Sequence, residues 1–361
     1  MKKNADSLIQ AFNERAKTMG LLPVKAPPCY EKLVDEEIEA TGCVGGPLYR
    51  AVYPLEDQLD VTMEHEVPDF VEDRTNMPGG LENTLIHKYR GRALFLATDQ
   101  CAGRCMYCFR KDVLAGLRSR SWPDFQKRLD LLVDYLNQHP HVSELILSGG
   151  DPMSLPFRHL EQTLKRIGSE TGVSHIRAHT RNVVFAPGIF SERLCQLLGR
   201  RRVRVYLHIV HPYELTDDVR HAIAMLRSHG ARTYGQFPIL RGINDHSAVL
   251  ERLLIELDDL GVNVVDMFVP DPVKYSASFR IPMKRLIALM DTLYWTTSSW
   301  INGVRMTLDT PMGKVRREDI SSWDEERNII TFQREGKEVV YHDFPAEFDT
   351  PGNIDTLLWK G

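Results

Sequence analysis

From Ala93 onward, short apolar runs rich in β-branched residues alternate with longer stretches in which apolar positions recur every three or four residues. The short runs are ALFLAT (93–98), ELILS (144–148), SHIRAHT (174–180), VRVYLHI (203–209), ARTYGQFPI (231–239), VNVVDMF (262–268) and a further VRMTL (304–308). Helical periodicity between them predicts helices over Asp124–Asn137, Leu160–Thr171, Phe190–Leu198, Asp217–His229, Ser247–Leu260 and Pro282–Trp300. Such alternation buries apolar strands between helices, and right-handed crossovers line consecutive strands up in parallel. The expected fold is α/β, a partial (β/α)6-type parallel barrel.

The flanks read differently. The first ninety residues are rich in charge, proline and glycine, with amphipathic helices near Asp6–Met19 and Glu31–Thr41, as for an extension wrapped on the main body. Residues 328–344 (NIITFQREGKEVVYHDF) read as a hairpin turning near Gly336. The expected organisation is an N-terminal, partly helical extension over 1–90, the barrel over 91–315 and a C-terminal extension over 316–361.

Composition narrows the partners. A chain of 361 residues with 43% hydrophobic and 26% charged residues is ordinary globular material, which excludes disorder and collagen-like structure. Its net charge of −4 offers no field for a polyanion, so a small molecule is expected, and neither nucleic acid nor an anionic membrane. No run approaches the roughly 18–20 apolar residues of a membrane span, and MKKNADSLIQAFNERAK lacks the apolar centre of a secretory signal. A reducing cytoplasm is the expected location, where clustered thiols hold metal more often than they cross-link.

The chain has six cysteines, and Cys101, Cys105 and Cys108 fall together as Cys-Ala-Gly-Arg-Cys-Met-Tyr-Cys on the loop leaving the first parallel strand, while Cys29, Cys43 and Cys195 are scattered. In parallel α/β barrels the chemistry sits at the C-terminal strand ends. The other unusual residues follow suit: Gly149-Gly150-Asp151 after the second strand, Arg181 after the third, His211-Pro212 after the fourth and Asp271 after the sixth. Three thiolates can hold three irons of a [4Fe-4S] cubane and leave the fourth open to a ligand. Structural zinc is the plainer alternative, but such sites close with four ligands and pair CxxC spacings, and no second CxxC is present.

With these residues in view, the sequence resembles a known family. CxxxCxxC followed by Gly-Gly-Asp resembles the radical SAM enzymes, in which S-adenosylmethionine chelates the open iron and is cleaved reductively. ATDQCAGRCMYCFRK (97–111), LILSGGDPMSL (145–155), HPYEL (211–215), ILRGIND (239–245) and the segment Asp271–Arg280 are similar to the lysine 2,3-aminomutase family, over most of residues 65–315. The resemblance implies a [4Fe-4S] cluster on Cys101, Cys105 and Cys108, and S-adenosylmethionine near Tyr107, Ser148, Gly149, Gly150, Asp151 and Gln236. It also implies pyridoxal 5'-phosphate (PLP), an electron donor such as flavodoxin or ferredoxin, and a homo-oligomer.

For PLP the resemblance points to Lys314 as the lysine bonded to the cofactor, and to Arg92, Lys88 and Arg181 as cationic contacts. For substrate it points to Arg110 on the carboxylate and to Asp271 and Asp309 on a side-chain cation. Two converging acids raise one another's pKa unless a cation sits between them, so the pair favours a basic amino acid, lysine or arginine. The sequence departs from the family in three places: Gly313 alone precedes Lys314 where the family has a glycine run, Lys88 stands where arginine is usual, and Lys111-Asp112 follow Arg110 where further arginines are usual. The implied activity is a 2,3-aminomutase shifting the α-amino group to the β carbon. A desaturating or oxidising enzyme on the same scaffold, a PLP-free iron–sulfur protein, and an electron carrier or zinc module are the alternatives.

Overall fold

The computed structural model describes residues 2–118 and 124–361. The N-terminal segment supplies α1 (Lys2–Thr18), α2 (Pro28–Thr41) and α3 (Pro47–Val52). The main sheet opens with an antiparallel edge strand, β1 (Leu85–Tyr89), beside β2 (Arg92–Thr98). The chain then runs through α4 (Lys111–Arg118), α5 (Phe125–Gln138), β3 (Glu144–Gly149), α6 (Phe157–Glu170), β4 (His175–Thr180), α7 (Asn182–Phe185), α8 (Glu192–Arg200) and β5 (Arg204–Leu207). It continues with α9 (Asp217–Ser228), β6 (Arg232–Pro238), α10 (Ser247–Asp259), β7 (Asn263–Phe268), α11 (Met283–Thr296), β8 (Arg305–Thr310) and β9 (Gly313–Val315).

The nine strands lie in the order β1 to β9, with β2 to β8 parallel and both outer strands antiparallel. Each apolar run expected from the sequence forms its strand, and VRMTL becomes β8, the last of the parallel run. Helix ends shift for local reasons. Asp124 stands outside α5 as its N-cap, its carboxylate accepting from Gln126 N at 2.9 Å. Expected to Trp300, α11 stops at Thr296, because the following Thr-Ser-Ser run is poor in helix propensity and Thr297 turns its hydroxyl back on Leu293 O.

A separate three-stranded antiparallel sheet follows from β10 (Ile320–Asp324), β11 (Ile329–Arg334) and β12 (Lys337–His342), and α12 (Ile354–Leu357) lies near the end. The turn between β11 and β12 falls at Glu335-Gly336, both with positive φ, as a two-residue hairpin turn requires. Two N-terminal contacts bear on the barrel mouth. Tyr30 of α2 is buried edge-on against Phe185 and donates to Glu214 Oε1 at 2.7 Å. Farther on, Val67 bridges to Val273, which lays the segment 66–73 along the loop after β7. Among the described residues no helix is long and apolar enough to cross a membrane.

Candidate active site

The residues singled out above for the cluster, the cofactors and the substrate line one cavity of about 370 Å³ inside the barrel, whereas His211 and Pro212 do not line it. At its mouth stand Cys101, Cys105 and Cys108, none of them in a disulfide and all half-buried. Their loop is pinned by the N-terminal segment: Met106 N donates to Ala51 O at 3.0 Å and Arg104 N to Lys25 O at 2.8 Å. Burial pushes the Cys105 thiol up to about 12, against the pull of the nearby Arg181 guanidinium. Among the described residues no group of three or more His, Cys, Asp or Glu is placed to hold a single metal ion. Three thiols around one mouth, next to a buried cation, suit a larger multi-iron group that each thiol reaches separately.

Arg181 itself lies at this mouth and not at the Lys314 end. Its guanidinium pairs with Glu214 at 2.7 Å, donates to His208 O at 3.2 Å and lies over the Phe185 ring. Tyr107 OH is 3.1 Å from His208 Nε2. The Gly149-Gly150 pair is explained by backbone contact. Gly149 has φ +112°, and a Cβ on it would sit 2.4 Å from Thr98 O; a Cβ on Gly150 would sit 2.3 Å from Gln100 O. The bare backbone therefore lets the loop after β3 press against the cysteine loop. Asp151 is fully engaged within the protein, accepting from Met153 N, Thr180 Oγ1, Arg181 N and Asn182 N, and burial raises it to about 6.

Deeper in, Arg110 is held by a residue that the sequence did not bring forward. Its Nε lies 2.6 Å from Asp73 Oδ2, on the segment laid along the loop after β7, and NH1 donates to Ser148 Oγ at 2.9 Å. Asp271 and Asp309 do face the same space. Burial, then Asp309 and Asp73, push Asp271 well above the ordinary carboxylate range, and no Lys, Arg or His forms an ion pair with it among the described residues. Asp309 is answered by Lys88, whose Nζ lies 3.5 Å from Oδ1 while also donating to Val71 O and Thr310 O. Lys88 is thereby committed to the acidic end.

Lys314 enters from β9, directly opposite Asp309 in the ladder, and its Nζ lies 2.9 Å from Asp266 Oδ2, a second residue that sequence reading missed. Arg92 stacks on the Tyr89 ring at 4.1 Å. Gln236 Nε2 lies 3.3 Å from His179 Nδ1, and burial keeps His179 neutral, with its Nε2 buried and unpartnered. A neutral imidazole with an orphaned nitrogen, a lysine and an arginine, all lining one lumen, suit a polar, anionic cofactor.

No family model matches the chain. A Treponema pallidum protein named for L-lysine 2,3-aminomutase is 30% identical over 270 residues, covering 72% of this chain and 74% of the relative. The chain belongs to the lysine 2,3-aminomutase family. An L-lysine 2,3-aminomutase of Escherichia coli is 29% identical over 257 residues, covering 71% of this chain and 72% of that one. A third member of the family, from Aquifex aeolicus, is 28% identical over 82% of this chain and 78% of its own. Among solved structures, a radical SAM methyltransferase from Sphaerobacter thermophilus aligns with a TM-score of 0.38 and 13% identity, over 64% of this chain and 72% of that one.

Proposed function

We propose that the protein is a radical SAM, PLP-dependent 2,3-aminomutase that moves the α-amino group of a basic amino acid to its β carbon. One observation carries this reading beyond family membership. The cavity that begins at three thiols ends at a cluster of acids, Asp73, Asp271 and Asp309, of which Asp73 pairs with Arg110 and Asp309 with Lys88, while Asp271 makes no ion pair among the described residues. An acid held above its ordinary range first by burial and then by two neighbouring acids favours a positive charge brought beside it. A lysine or arginine side chain supplies that charge, whereas a glutamate side chain adds to the repulsion.

The remaining residues take their parts from this polarity. Cys101, Cys105 and Cys108 would hold the cluster, Ser148 and Gln236 would border S-adenosylmethionine, and Lys314 and Arg92 would hold PLP. Bound there, the cluster with S-adenosylmethionine would supply a hydrogen-abstracting radical, and PLP a conjugated ring able to spread an unpaired electron. The chain's own share is position. Arg110, braced by Asp73, presents its guanidinium to the substrate carboxylate, and Asp271 with Asp309 fixes the far end. Between those two anchors the substrate would be held in one position across the lumen, which would limit the C–H bonds presented to a radical formed there.

The test is anaerobic reconstitution with iron, sulfide, PLP and S-adenosylmethionine, then incubation with lysine, arginine, ornithine or glutamate and location of the amine by mass spectrometry. A β-amino acid from lysine or arginine is the expected product. Turnover of glutamate alone would overturn the reading of the acid pair, and a product lighter by two hydrogens would favour the desaturating alternative.

A further inference from the structure

Lys314 resembles the substrate class it would help to turn over. It ends in a primary ammonium on a four-carbon chain, and the β8–β9 ladder seats it opposite Asp309, one of the two acids proposed to take the substrate's cation. A Lys314 ammonium released from PLP with no other acceptor would compete with the substrate's for Asp309. In the structure the lysine turns elsewhere: Nζ lies 2.9 Å from Asp266 Oδ2 and 4.6 Å from the centre of the Phe268 ring.

Asp266 is held ready for that contact. Its side chain is only 8% exposed, and Oδ1 accepts from Thr307 Oγ1 at 3.1 Å and lies 3.4 Å from Arg305 Nε. Burial acts to raise its carboxyl, but Lys314, Arg305 and Thr307 together outweigh burial and hold it below the ordinary range. The carboxylate is therefore ionised, oriented by β8 and aimed at the tip of a lysine on β9.

We propose that Asp266 is a positioning residue that receives the Lys314 ammonium once substrate has displaced the lysine from PLP, which keeps Asp309 free for the substrate. The exchange balances without an outside reagent. The substrate ammonium gives up its protons as its nitrogen forms the C=N bond, and Lys314 takes up as many as its own C=N bond breaks, leaving as the ammonium that Asp266 accepts. The inference rests on the reading of Lys314 as the PLP lysine.

Both can be tested without turnover. PLP-loaded protein lacking S-adenosylmethionine is titrated with lysine, quenched with borohydride, and the trapped PLP is apportioned by mass spectrometry between the Lys314 peptide and the free amino acid. With one charged hydrogen bond removed, Asp266→Asn is expected to raise the lysine concentration for half-displacement about tenfold, and Asp266→Glu to recover part of the loss. An unchanged concentration in Asp266→Asn, with PLP still trapped on Lys314 when no amino acid is added, overturns the inference. PLP trapped somewhere other than Lys314 in the wild type overturns the reading beneath it instead. Should Asp266→Asn lose its fold or its PLP, Thr307→Val, which removes one support of the carboxylate, is expected to shift the same concentration upward by a smaller factor. No shift there overturns the inference.

Discussion

Lys88 Nζ on β1 lies 3.5 Å from Asp309 Oδ1 on β8, so that a side chain joins the two ends of the sheet where no backbone ladder does. The same ammonium donates to Thr310 O and Val71 O. Lys88→Met leaves these acceptors without their donor and should cost roughly 1–3 kcal/mol of stability, since hydrogen bonds to charged groups are worth about that much. Thermal unfolding measures it, and Lys88→Arg should restore part of the loss. An unshifted midpoint in Lys88→Met would show that the seam bears no weight.

Asp73 braces Arg110 at 2.6 Å from the segment laid along the loop after β7. Asp73→Asn keeps the shape and removes the charge, so the guanidinium loses the partner that aims it. The expected result is a KM for the basic amino acid raised about tenfold, with iron and PLP content unchanged. A lowered kcat at constant KM would point instead to a role in the reaction itself.

Asp271 predicts a pH dependence whose sign follows from its surroundings. Burial, Asp309 and Asp73 all raise its pKa in the free protein, so it holds a proton at pH values where an exposed aspartate is ionised. An incoming cation favours the ionised form and must expel that proton. Binding of lysine or arginine should therefore release protons and weaken as the pH falls. Calorimetry in two buffers of different ionisation enthalpy reads the release, which Asp271→Asn should abolish; proton uptake by the wild type would contradict the assignment.

Gly149 offers a test of the mouth. Alanine there faces both a φ of +112° and a carbonyl oxygen 2.4 Å from its Cβ. The backbone conformation alone should cost roughly 1–3 kcal/mol. Because the displaced neighbour is Thr98, at the root of the cysteine loop, Gly149→Ala should also lower the iron retained after anaerobic reconstitution. Full iron content with unchanged stability would mean that the two loops are less tightly apposed than the structure has them.

The parallel strands were legible because each is an apolar run bounded by polar helix-forming sequence, and Asp124 was legible as a helix start even though it proves to be the cap. β1 was not, since LIHKY carries three titratable side chains in five residues and gives no two-residue alternation. Cys101, Cys105 and Cys108 announce themselves by spacing alone. Asp73 and Asp266 do not, because the residues that give them meaning lie 37 and 48 positions away along the chain. Asp266 sits inside VNVVDMF, where one acid in an apolar strand was the available signal. For the glycine pair the resemblance implies a place beside S-adenosylmethionine, whereas the steric reason visible in the structure is the approach of Thr98 O and Gln100 O.

The cysteines follow β2, near one edge of the sheet, while Asp309 and Lys314 on β8 and β9, and Asp271 on the loop after β7, gather at the other, with Lys88 as the stitch between. The thiols and the acids thus sit on opposite margins of the same sheet. Exchanging residues 263–315 would therefore recast Asp271, Asp309 and Lys314 together and leave the sulfur loop untouched, whereas Arg110, Asp73 and Lys88 would have to be matched to the new segment separately.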